Sequence, residues 1–502
     1  MRQGVTMTAL TTDTVERRPI AGEARMFIDG ELVESESGKT FDVIDPSTGQ
    51  SAGVAADGTI ADMERAIAAA RRAFDATDWS TNHELRRRCL LQLRDALVEE
   101  KERIRQIIVT EVGCPITLTE TIQLEFPITE LGHWAEYATK FEYTQETGVI
   151  QSIGTTARHV RQYEPVGVVG AITAWNYPLY LNIATVGPAL AAGNTVVLKP
   201  AQLTPWSGSE LGRLAAEKTD MPAGVFNVVV SNSNDVPAAL SADPRVDMIT
   251  FVGSTATGRK ILAAAAPTVK KVCLELGGKS SHIFLDDADF AATMPMAAGS
   301  ICAHAGQGCT LNSRVLVPRS RAEEAEAVLT GAMKGMPYGD PWDPALYMGP
   351  LSSQMQLDKV LGLIQRAVDD GARLVTGGKQ ADREGYYVEP TLLADVDPTS
   401  EIAQEEIFGP VLTLIPFESD DDAVAIANNT VYGLSGEVTS ASEERALGVA
   451  KRLRTGNVTV NGGPYFGLES PLGGYRQSGL GRRYGEEGFV EYLEIKSIGL
   501  PT

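Results

Sequence analysis

From Pro165 onward, the sequence alternates short apolar runs with longer segments of helical spacing. The apolar runs cover residues 166–174, 195–198, 225–230, 248–252 and 271–276. Runs of this kind are typical of strands buried on both faces of a parallel sheet, with helices as the crossover connections. The sequence therefore predicts an α/β fold with a doubly wound parallel sheet.

The rest of the chain adds a second α/β unit. A further series of apolar runs extends from about His282 to Val460, with strands predicted at Val315, Val388 and Val411. At 502 residues the chain exceeds what one hydrophobic core normally organises, so more than one domain is expected.

The N-terminal region begins with a segment of low apolar content. Residues 1–24 are predicted to be a disordered polar tail. Residues 27–33 are predicted to form two short strands around an Asp-Gly turn. One helix is predicted over residues 63–74, and a longer one over about residues 84–112, where Gly113 ends it.

Charge and cysteine content exclude several classes of function. The formal net charge of -21 repels the phosphates of nucleic acids and anionic lipids, so neither a nucleic acid nor a membrane is expected as a partner. The five cysteines have no CxxC spacing, so neither a disulfide framework nor a metal site is predicted. Residues 1–25 lack the apolar core of a signal peptide, and no run approaches the length of a membrane span. A cytoplasmic protein with reduced thiols is expected.

Cys309 is the first candidate for chemistry. It lies in the segment 305–310, Ala-Gly-Gln-Gly-Cys-Thr, where small neighbours leave room for a reactant to approach the sulfur. A lone cysteine is more often a small buried hydrophobe, so the residue alone leaves both interpretations open. The spacing of Cys302, His304 and Cys309 matches no common zinc site.

Glu275 ends an apolar run and is followed by a pair of glycines. Ligands bind at the carboxyl ends of strands in α/β sheets, and apolar surroundings raise the pKa of a carboxyl group towards the range useful to a general base. The alternative is an exposed acid at the end of a strand. The segment 278–280 resembles the end of a phosphate-binding loop, but Cys273 stands where that loop needs its first glycine, which disfavours an ATPase.

Two turns that follow predicted strands complete the set of candidates. Gly253 and Gly258 flank the start of a helix, where backbone N–H groups and the helix dipole favour a pyrophosphate, although such glycines are also common in ordinary loops. Asn176 follows the first strand of the parallel series, where its amide either donates to an oxyanion or caps a helix.

Taken in order, these motifs resemble the aldehyde dehydrogenase superfamily from Phe27 to Ile498. The matching segments are 175–178, 199–201, 251–258, 274–279, 306–309, 405–410 and 473–479. Each motif alone is modest, but the ordered set is specific. The resemblance implies a Rossmann-like cofactor domain over residues 25–145 and 165–277, a catalytic α/β domain over residues 278–477, and a small β oligomerisation element over residues 146–164 and 478–502.

The same resemblance implies a mechanism. Cys309 would attack the aldehyde, with the oxyanion held by the Asn176 amide and the backbone N–H of Cys309. Hydride transfer to the nicotinamide would leave a thioester, which water activated by Glu275 would hydrolyse to the acid. Relatives that transfer the acyl group to coenzyme A usually lack the carboxylate of Glu275, so a free acid is the expected product.

The resemblance also assigns ligand-binding roles. It places at the cofactor Trp175, Lys199, Gln202, Gly253, Ser254, Leu276, Glu406 and Phe408. It places along the substrate tunnel Tyr177, Leu181, Ala184 and Phe466, and the lack of an arginine in this set predicts a neutral, apolar aldehyde. Many NAD-preferring relatives carry glutamate where Gln202 stands, and a glutamate would repel a 2'-phosphate, so Gln202 leaves NADP open. NAD is still the expected cofactor.

Two further positions depart from the family pattern. Leu472 replaces a phenylalanine and is expected to alter packing near the substrate mouth. Arg483 replaces a glutamate and is expected to alter an ion pair or a subunit contact, without touching the chemistry. In the family, strands near residues 157–163 and 492–498 join subunits, so a homodimer or homotetramer is implied by the resemblance alone.

Two alternatives stay open at the level of the sequence. A redox-independent thioester or ester hydrolase would use Cys309 and Glu275 but leave the cofactor residues without a role. A non-catalytic protein on the same fold would tolerate loss of Cys309, Glu275 or Asn176, and all three are present.

Overall fold

The computed structural model describes residues 20–502 as helices and strands that meet in four sheets. The helices are α1 Ile60–Ala76, α2 His83–Glu99, α3 Lys101–Val112, α4 Glu125–Lys140, α5 Pro178–Ala192, α6 Trp206–Lys218, α7 Asp235–Ala242, α8 Thr255–Ala265, α9 Phe290–Cys302, α10 Ala322–Lys334, α11 Gln354–Asp369, α12 Glu401–Gln404, α13 Asp420–Asn428, α14 Glu443–Ala450 and α15 Gly485–Val490. The strands are β1 Met26–Ile28, β2 Glu31–Val33, β3 Thr40–Asp45, β4 Gln50–Ala56, β5 Thr144–Ser152, β6 Thr155–Pro165, β7 Val168–Ile172, β8 Thr195–Lys199, β9 Phe226–Val228, β10 Met248–Val252, β11 Lys271–Glu275, β12 Ser280–Phe284, β13 Asn312–Pro318, β14 Arg373–Thr376, β15 Thr391–Ala394, β16 Val411–Phe417, β17 Gly436–Thr439, β18 Thr459–Val460, β19 Gly479–Leu480 and β20 Leu493–Pro501.

The five apolar runs predicted as strands are neighbours in one sheet, in the order β11-β10-β7-β8-β9. All five are parallel, and β7, β8 and β10 are buried along their whole length. Three strands extend the sheet by antiparallel pairing, β19 beside β11 and the β1–β2 hairpin beside β9. The predicted parallel sheet is therefore confirmed, and its edges come from segments distant in the sequence.

The second α/β unit is also confirmed, with one correction. Its sheet has the order β14-β15-β16-β13-β12-β17-β18, and the strands predicted at Val315 and Val411 are β13 and β16. Val388 lies outside the named strands and makes only an isolated bridge to Gln380. Because Pro390 has no N–H to donate to a ladder, the strand begins after it, at Thr391.

The long helix predicted over residues 84–112 is two helices. α2 and α3 are separated at Glu100, whose φ is -100° and ψ is 19°. The sequence has neither glycine nor proline there, so its helical spacing continues through the break. In the folded chain the Glu100 carboxylate binds Arg213 of α6, a tertiary contact that local spacing cannot predict. Gly113 ends α3 in the left-handed conformation, as predicted.

A small antiparallel sheet of order β20-β6-β5 stands apart from the two larger ones. β20 pairs along its whole length with β6, so the end of the chain is bound to a segment from its first half. The predicted hairpin near the N-terminus is β1 and β2, with Asp29 and Gly30 at φ of 57° and 84°.

The predicted tail and domain limits are not decided by this arrangement. Residues 1–19 lie outside the described residues, while the backbone N–H of Glu23 donates to Glu210 at 2.9 Å. The division at residues 145, 164, 277 and 477 stays a prediction. Among residues 20–502, no helix is both long and apolar enough to cross a membrane.

Candidate active site

One cavity of about 350 Å³ lies where the loops after β7, β10 and β11 meet the loop before β13. Phe251 is beside Ile172 and Val252 is beside Glu275 in the parallel register, so these strands end at one edge of the sheet. The predicted site residues that line the cavity are Trp175, Asn176, Tyr177, Leu181, Gly253, Ser254, Glu275, Leu276, Cys309, Glu406, Phe408 and Phe466. The structure brings these residues together, and the role of each stays a prediction.

Two predicted cofactor residues lie beside the cavity rather than in its wall. Lys199 ends β8 next to Ile172 of β7 and is buried, and Gln202 follows three residues later, half-buried. Burial lowers the pKa of Lys199 to about 8, while Asp57 favours its charged form. Ala184 is buried within α5 and is likewise absent from the described cavity wall.

The backbone before Cys309 makes a strained turn. His304, Ala305 and Gly306 follow α9 with φ of 50°, 53° and 74°. A Cβ on Gly306 would lie 2.1 Å from the carbonyl oxygen of Gly409, so only glycine fits there. Left-handed backbone at other residues costs free energy and persists where the surrounding structure holds it. This turn places Cys309 at the cavity wall.

Cys309 faces the carboxylate of Glu275, with Sγ 3.9 Å from Oε2. Burial raises the pKa of the Cys309 thiol well above its ordinary value, and the charges of Glu275 and Glu406 raise it further. Burial also raises the pKa of Glu275 to about 7, against the opposing effect of Arg483. The pair therefore consists of a protonated thiol and a carboxyl group that titrates near neutral pH, where a general base is most useful.

The glycine pair after Glu275 allows three segments to approach one another. A Cβ on Gly277 would lie 2.4 Å from Oε2 of Glu406, and a Cβ on Gly278 would lie 2.8 Å from the carbonyl oxygen of Cys309. The Gly278 N–H donates to Oε1 of Glu406 at 2.9 Å. Glycine is needed here because of close approach.

Asn176 is held against the loop of Cys309. Its Nδ2 donates to the carbonyl oxygen of Gln307 at 2.9 Å. Its backbone carbonyl oxygen accepts from Nε2 of Gln123 at 3.0 Å and lies 2.8 Å from Nε2 of His304. Because the amide nitrogen carries two hydrogens, one N–H remains for a group in the cavity.

The wall on the side of α8 suits an anionic ligand. Ser254 caps α8, and the N–H of Gly253 donates to the carbonyl oxygen of Glu275 at 3.1 Å. The Trp175 and Phe408 rings meet edge to face with centroids 5.4 Å apart, and Phe408 has a φ of 59°. The free N–H groups and dipole at a helix N-terminus favour a phosphate.

Aromatic side chains form the wall on the side of α5. Tyr177 precedes α5 and Leu181 follows one turn later, while the Tyr177 and Tyr180 rings meet edge to face at 6.3 Å. Phe466 is 37% exposed, which places it at the mouth, and its ring lies 4.9 Å from that of Phe126. This side of the cavity is shaped for an apolar chain.

Arg483 lies in the wall of the cavity, a position that the motifs did not indicate. The residue is 5% exposed and lies beside Leu472, and its guanidinium has no hydrogen-bond partner among residues 20–502, while the expected subunit contact stays a prediction. Two backbone hydrogen bonds of 2.7 Å join Arg483 to Leu472 and fold the glycine-rich segment 461–488 back over the sheet. In the sequence, the signal that this position is unusual was an arginine in place of the family's glutamate, which has the opposite charge. Other lining residues that the motifs did not indicate are Ile122, Gln356, Lys359 and Tyr465.

Cys309 also differs from the other cysteines in access. All five thiols are free, and Cys309 is partly exposed while the other four are buried. In the part of the chain that the structure describes, no group of three or more His, Cys, Asp or Glu side chains is arranged to hold a metal ion.

Known proteins are similar to this chain in sequence and in fold over nearly their whole length. The sequence matches the model of the aldehyde dehydrogenase family over residues 32–498. A 3-succinoylsemialdehyde-pyridine dehydrogenase from a Pseudomonas species is 42% identical over 476 residues, which cover 94% of this chain and 97% of that protein. A mutant of aldehyde dehydrogenase C from Pseudomonas syringae, in complex with NAD+ and octanal, has a TM-score of 0.90 and 38% identity, covering 95% of this chain and 96% of that one. The aldehyde dehydrogenase of Mycobacterium tuberculosis in complex with NAD+ has a TM-score of 0.91 and 40% identity, covering 95% and 98%. The chain belongs to the aldehyde dehydrogenase family.

Proposed function

We propose that this protein oxidises an aldehyde to the carboxylic acid with NAD as hydride acceptor, through a thioester on Cys309 that Glu275 helps to hydrolyse. The observation that carries the proposal is the 3.9 Å approach of Cys309 Sγ to Glu275 Oε2 in a cavity that also contains the Asn176 amide. The NAD+ complexes of the two structural relatives support the choice of cofactor.

The residues present fit a dinucleotide. Gly277 has no side chain, and Oε2 of Glu406 lies 2.4 Å from the position that a Cβ would take there. Ser254 caps α8, the helix that begins at the cavity. When bound, NAD supplies the acceptor for the hydride that leaves the aldehyde carbon. The residues that would hold it are Trp175, Lys199, Gln202, Gly253, Ser254, Leu276, Glu406 and Phe408.

In the first half of the reaction, Cys309 attacks the aldehyde and Asn176 stabilises the oxyanion. The thiol loses its proton to water in the cavity, and Sγ forms a bond to the aldehyde carbon. The carbonyl oxygen gains the electron pair of its double bond and accepts hydrogen bonds from Asn176 Nδ2 and the backbone N–H of Cys309. Loss of hydride from that carbon restores the double bond and leaves a thioester.

In the second half of the reaction, Glu275 is the base for hydrolysis of the thioester. Its carboxylate takes a proton from a water molecule, whose oxygen bonds to the thioester carbon. The C–S bond breaks, its electron pair goes to Sγ, which takes the proton held by Glu275, and the carboxylic acid leaves. Because burial raises the pKa of Glu275 to about 7, the base form predominates above neutral pH.

The substrate we propose is a neutral aldehyde with an apolar chain. Tyr177, Leu181 and Phe466 form an apolar wall next to Cys309. The complex of a relative with octanal supports this choice.

Assay of an aldehyde panel with NAD and NADP tests the proposal. We expect reduction of NAD with straight-chain aldehydes such as octanal, in preference to carboxylated semialdehydes of equal length. Hydrolysis of activated esters without any cofactor reduction would instead favour the redox-independent hydrolase. Folded protein with neither activity would favour a non-catalytic role.

Replacement of Gln202 by glutamate is expected to increase preference for NAD. A carboxylate at this position would bind a ribose diol and repel a 2'-phosphate. We expect the ratio of kcat/KM for NAD to that for NADP to rise roughly tenfold, equivalent to about 1.4 kcal/mol. Gln202→Ala is the control without the added charge, and an unchanged ratio in Gln202→Glu would contradict the placement of this residue at the ribose.

We also propose that the sheet of β5, β6 and β20 joins subunits into a homodimer or homotetramer. Its edges expose apolar side chains, with Val149 62% and Ile495 61% exposed, which single chains usually avoid in clusters. Ile495→Lys is expected to shift the mass measured by light scattering towards the 53.6 kDa of one chain. Met355→Lys, at another exposed position, is the control. The same shift in mass in both variants, or no shift in either, would contradict this interface.

A cytoplasmic location is proposed as well. All five cysteines are free thiols, which suits a reducing compartment. Cell fractionation tests this location, and recovery of the protein outside the cytoplasm would contradict it.

A further inference from the structure

Arg483 is a buried cation in the wall of this cavity. The residue is 5% exposed, and its Nε, Nη1 and Nη2 have no hydrogen-bond partner among residues 20–502. A guanidinium does not lose its proton in proteins, and a buried charge is costly unless an opposite charge balances it. A negatively charged acid close to Arg483 would offset this cost.

Two buried carboxyl groups lie within electrostatic reach of Arg483. Glu130 of α4 already has a partner for each oxygen, because Trp134 donates to Oε1 at 3.1 Å and Tyr484 donates to Oε2 at 3.3 Å. Glu275 differs, since its Oε1 is buried and has no hydrogen-bond partner in the described part of the chain. The unpaired cation and the unpaired carboxylate oxygen thus line the same cavity.

We propose that Arg483 is a positioning residue that acts through Glu275, holding its carboxylate in the charged form that hydrolysis of the thioester requires. This inference rests on the proposed function. It assigns a role in the chemistry to a position where the family pattern has glutamate.

The other groups that face Glu275 do not replace Arg483 in this role. Glu406 repels the negative charge of Glu275, and the Cys309 thiol donates a single weak hydrogen bond at 3.9 Å. The remaining titratable neighbours are Tyr180, Tyr465 and Cys273, which are neutral near pH 7 because burial raises the pKa of each. Burial raises the pKa of Glu275 to about 7, and Arg483 exerts the largest opposing effect.

Loss of the Arg483 charge makes the charged form of Glu275 less stable. Glu275 acts as a base, so hydrolysis needs its charged form, and loss of the Arg483 charge moves the pKa of Glu275 above about 7. The acidic limb of the pH profile for hydrolysis then moves to higher pH. Alkaline buffer restores the charged form and with it the rate, which a damaged fold would not allow.

The test uses rapid mixing of octanal and NAD with the full protein over a range of pH. The burst of reduced cofactor reports thioester formation, and the steady phase reports hydrolysis. For Arg483→Met we expect the acidic limb of the steady phase to move up by about 1 pH unit or more, the effect of an opposite charge nearby. Arg483→Lys keeps the positive charge and should move it less, and Arg483→Gln serves if the methionine variant does not fold.

Variants of Glu275 make the result specific. In a Glu275→Gln background, Arg483→Met should leave the pH profile of hydrolysis unchanged. A uniform slowing at every pH, or the same shift in both backgrounds, would overturn the proposal. So would an unchanged profile with a selective rise in KM for carboxylated aldehydes, because Arg483 would then bind substrate. No reduction of NAD by the unmodified protein, in either phase, would instead refute the proposed function.

Discussion

Replacement of Cys309 by alanine is expected to abolish aldehyde oxidation. Without Sγ there is no covalent adduct, and neither the burst nor the steady phase of cofactor reduction can occur. Loss of a covalent nucleophile reduces kcat by roughly four orders of magnitude or more. Steady-state assay with octanal and NAD, together with mass spectrometry of the acylated protein, measures the loss.

The matched control is Cys302→Ala. Cys302 lies in the same region of the sequence but is buried in the core, with Sγ 3.8 Å from Sδ of Met333. Its removal creates a small cavity and should lower stability while leaving kcat near that of the unmodified protein. Full turnover in Cys309→Ala, or equal inactivation of both variants, would refute the assignment of the nucleophile.

Replacement of Glu275 by glutamine is expected to separate the two halves of the reaction. The amide cannot take a proton from water, so hydrolysis should slow by about 100-fold or more. The burst should persist, because the charge of Glu275 raises the pKa of Cys309 and its removal favours the thiolate. Rapid-mixing measurement of reduced cofactor resolves the two phases.

The pH dependence of the steady phase also reports on the role of Glu275. In the unmodified protein, the steady phase should increase as pH rises through about 7, because Glu275 becomes charged there. In Glu275→Gln this limb should disappear. Equal loss of the burst and the steady phase would contradict the role of Glu275 as base for hydrolysis.

Local periodicity predicted the central elements of the fold well and its interruptions poorly. The apolar runs became β7 to β11 because strands buried on both faces must be apolar throughout. The break between α2 and α3 was missed because Glu100 is bound by Arg213, more than a hundred residues later. The strand predicted at Val388 does not form there, because Pro390 has no N–H to donate and the ladder of hydrogen bonds begins after it.

For the site, motifs indicated the chemical groups but not their full surroundings. The ordered motifs pointed to Cys309, Glu275 and Asn176, which the structure brings to one cavity. The motifs did not place Arg483 in the cavity, because its position there depends on the return of segment 461–488 over the sheet. That return is made by backbone hydrogen bonds to Leu472, which leave no periodic pattern in the sequence.

Apolar runs, helical spacing and ordered motifs are local properties of a chain, so the α/β class, the parallel strands and the candidate reacting groups could be predicted from the sequence alone. Which of those groups meet depends on the tertiary structure. Sγ of Cys309 and Oε2 of Glu275 belong to residues 34 apart in the chain, and the Asn176 amide and the Gln307 carbonyl to residues 131 apart. Such distances depend on the strand order and on close packing, such as the approach of Gly278 to Cys309. The charge of Arg483 matters here because the side chain is buried without a hydrogen-bond partner among the described residues, whereas the same side chain on the surface would be hydrated by water.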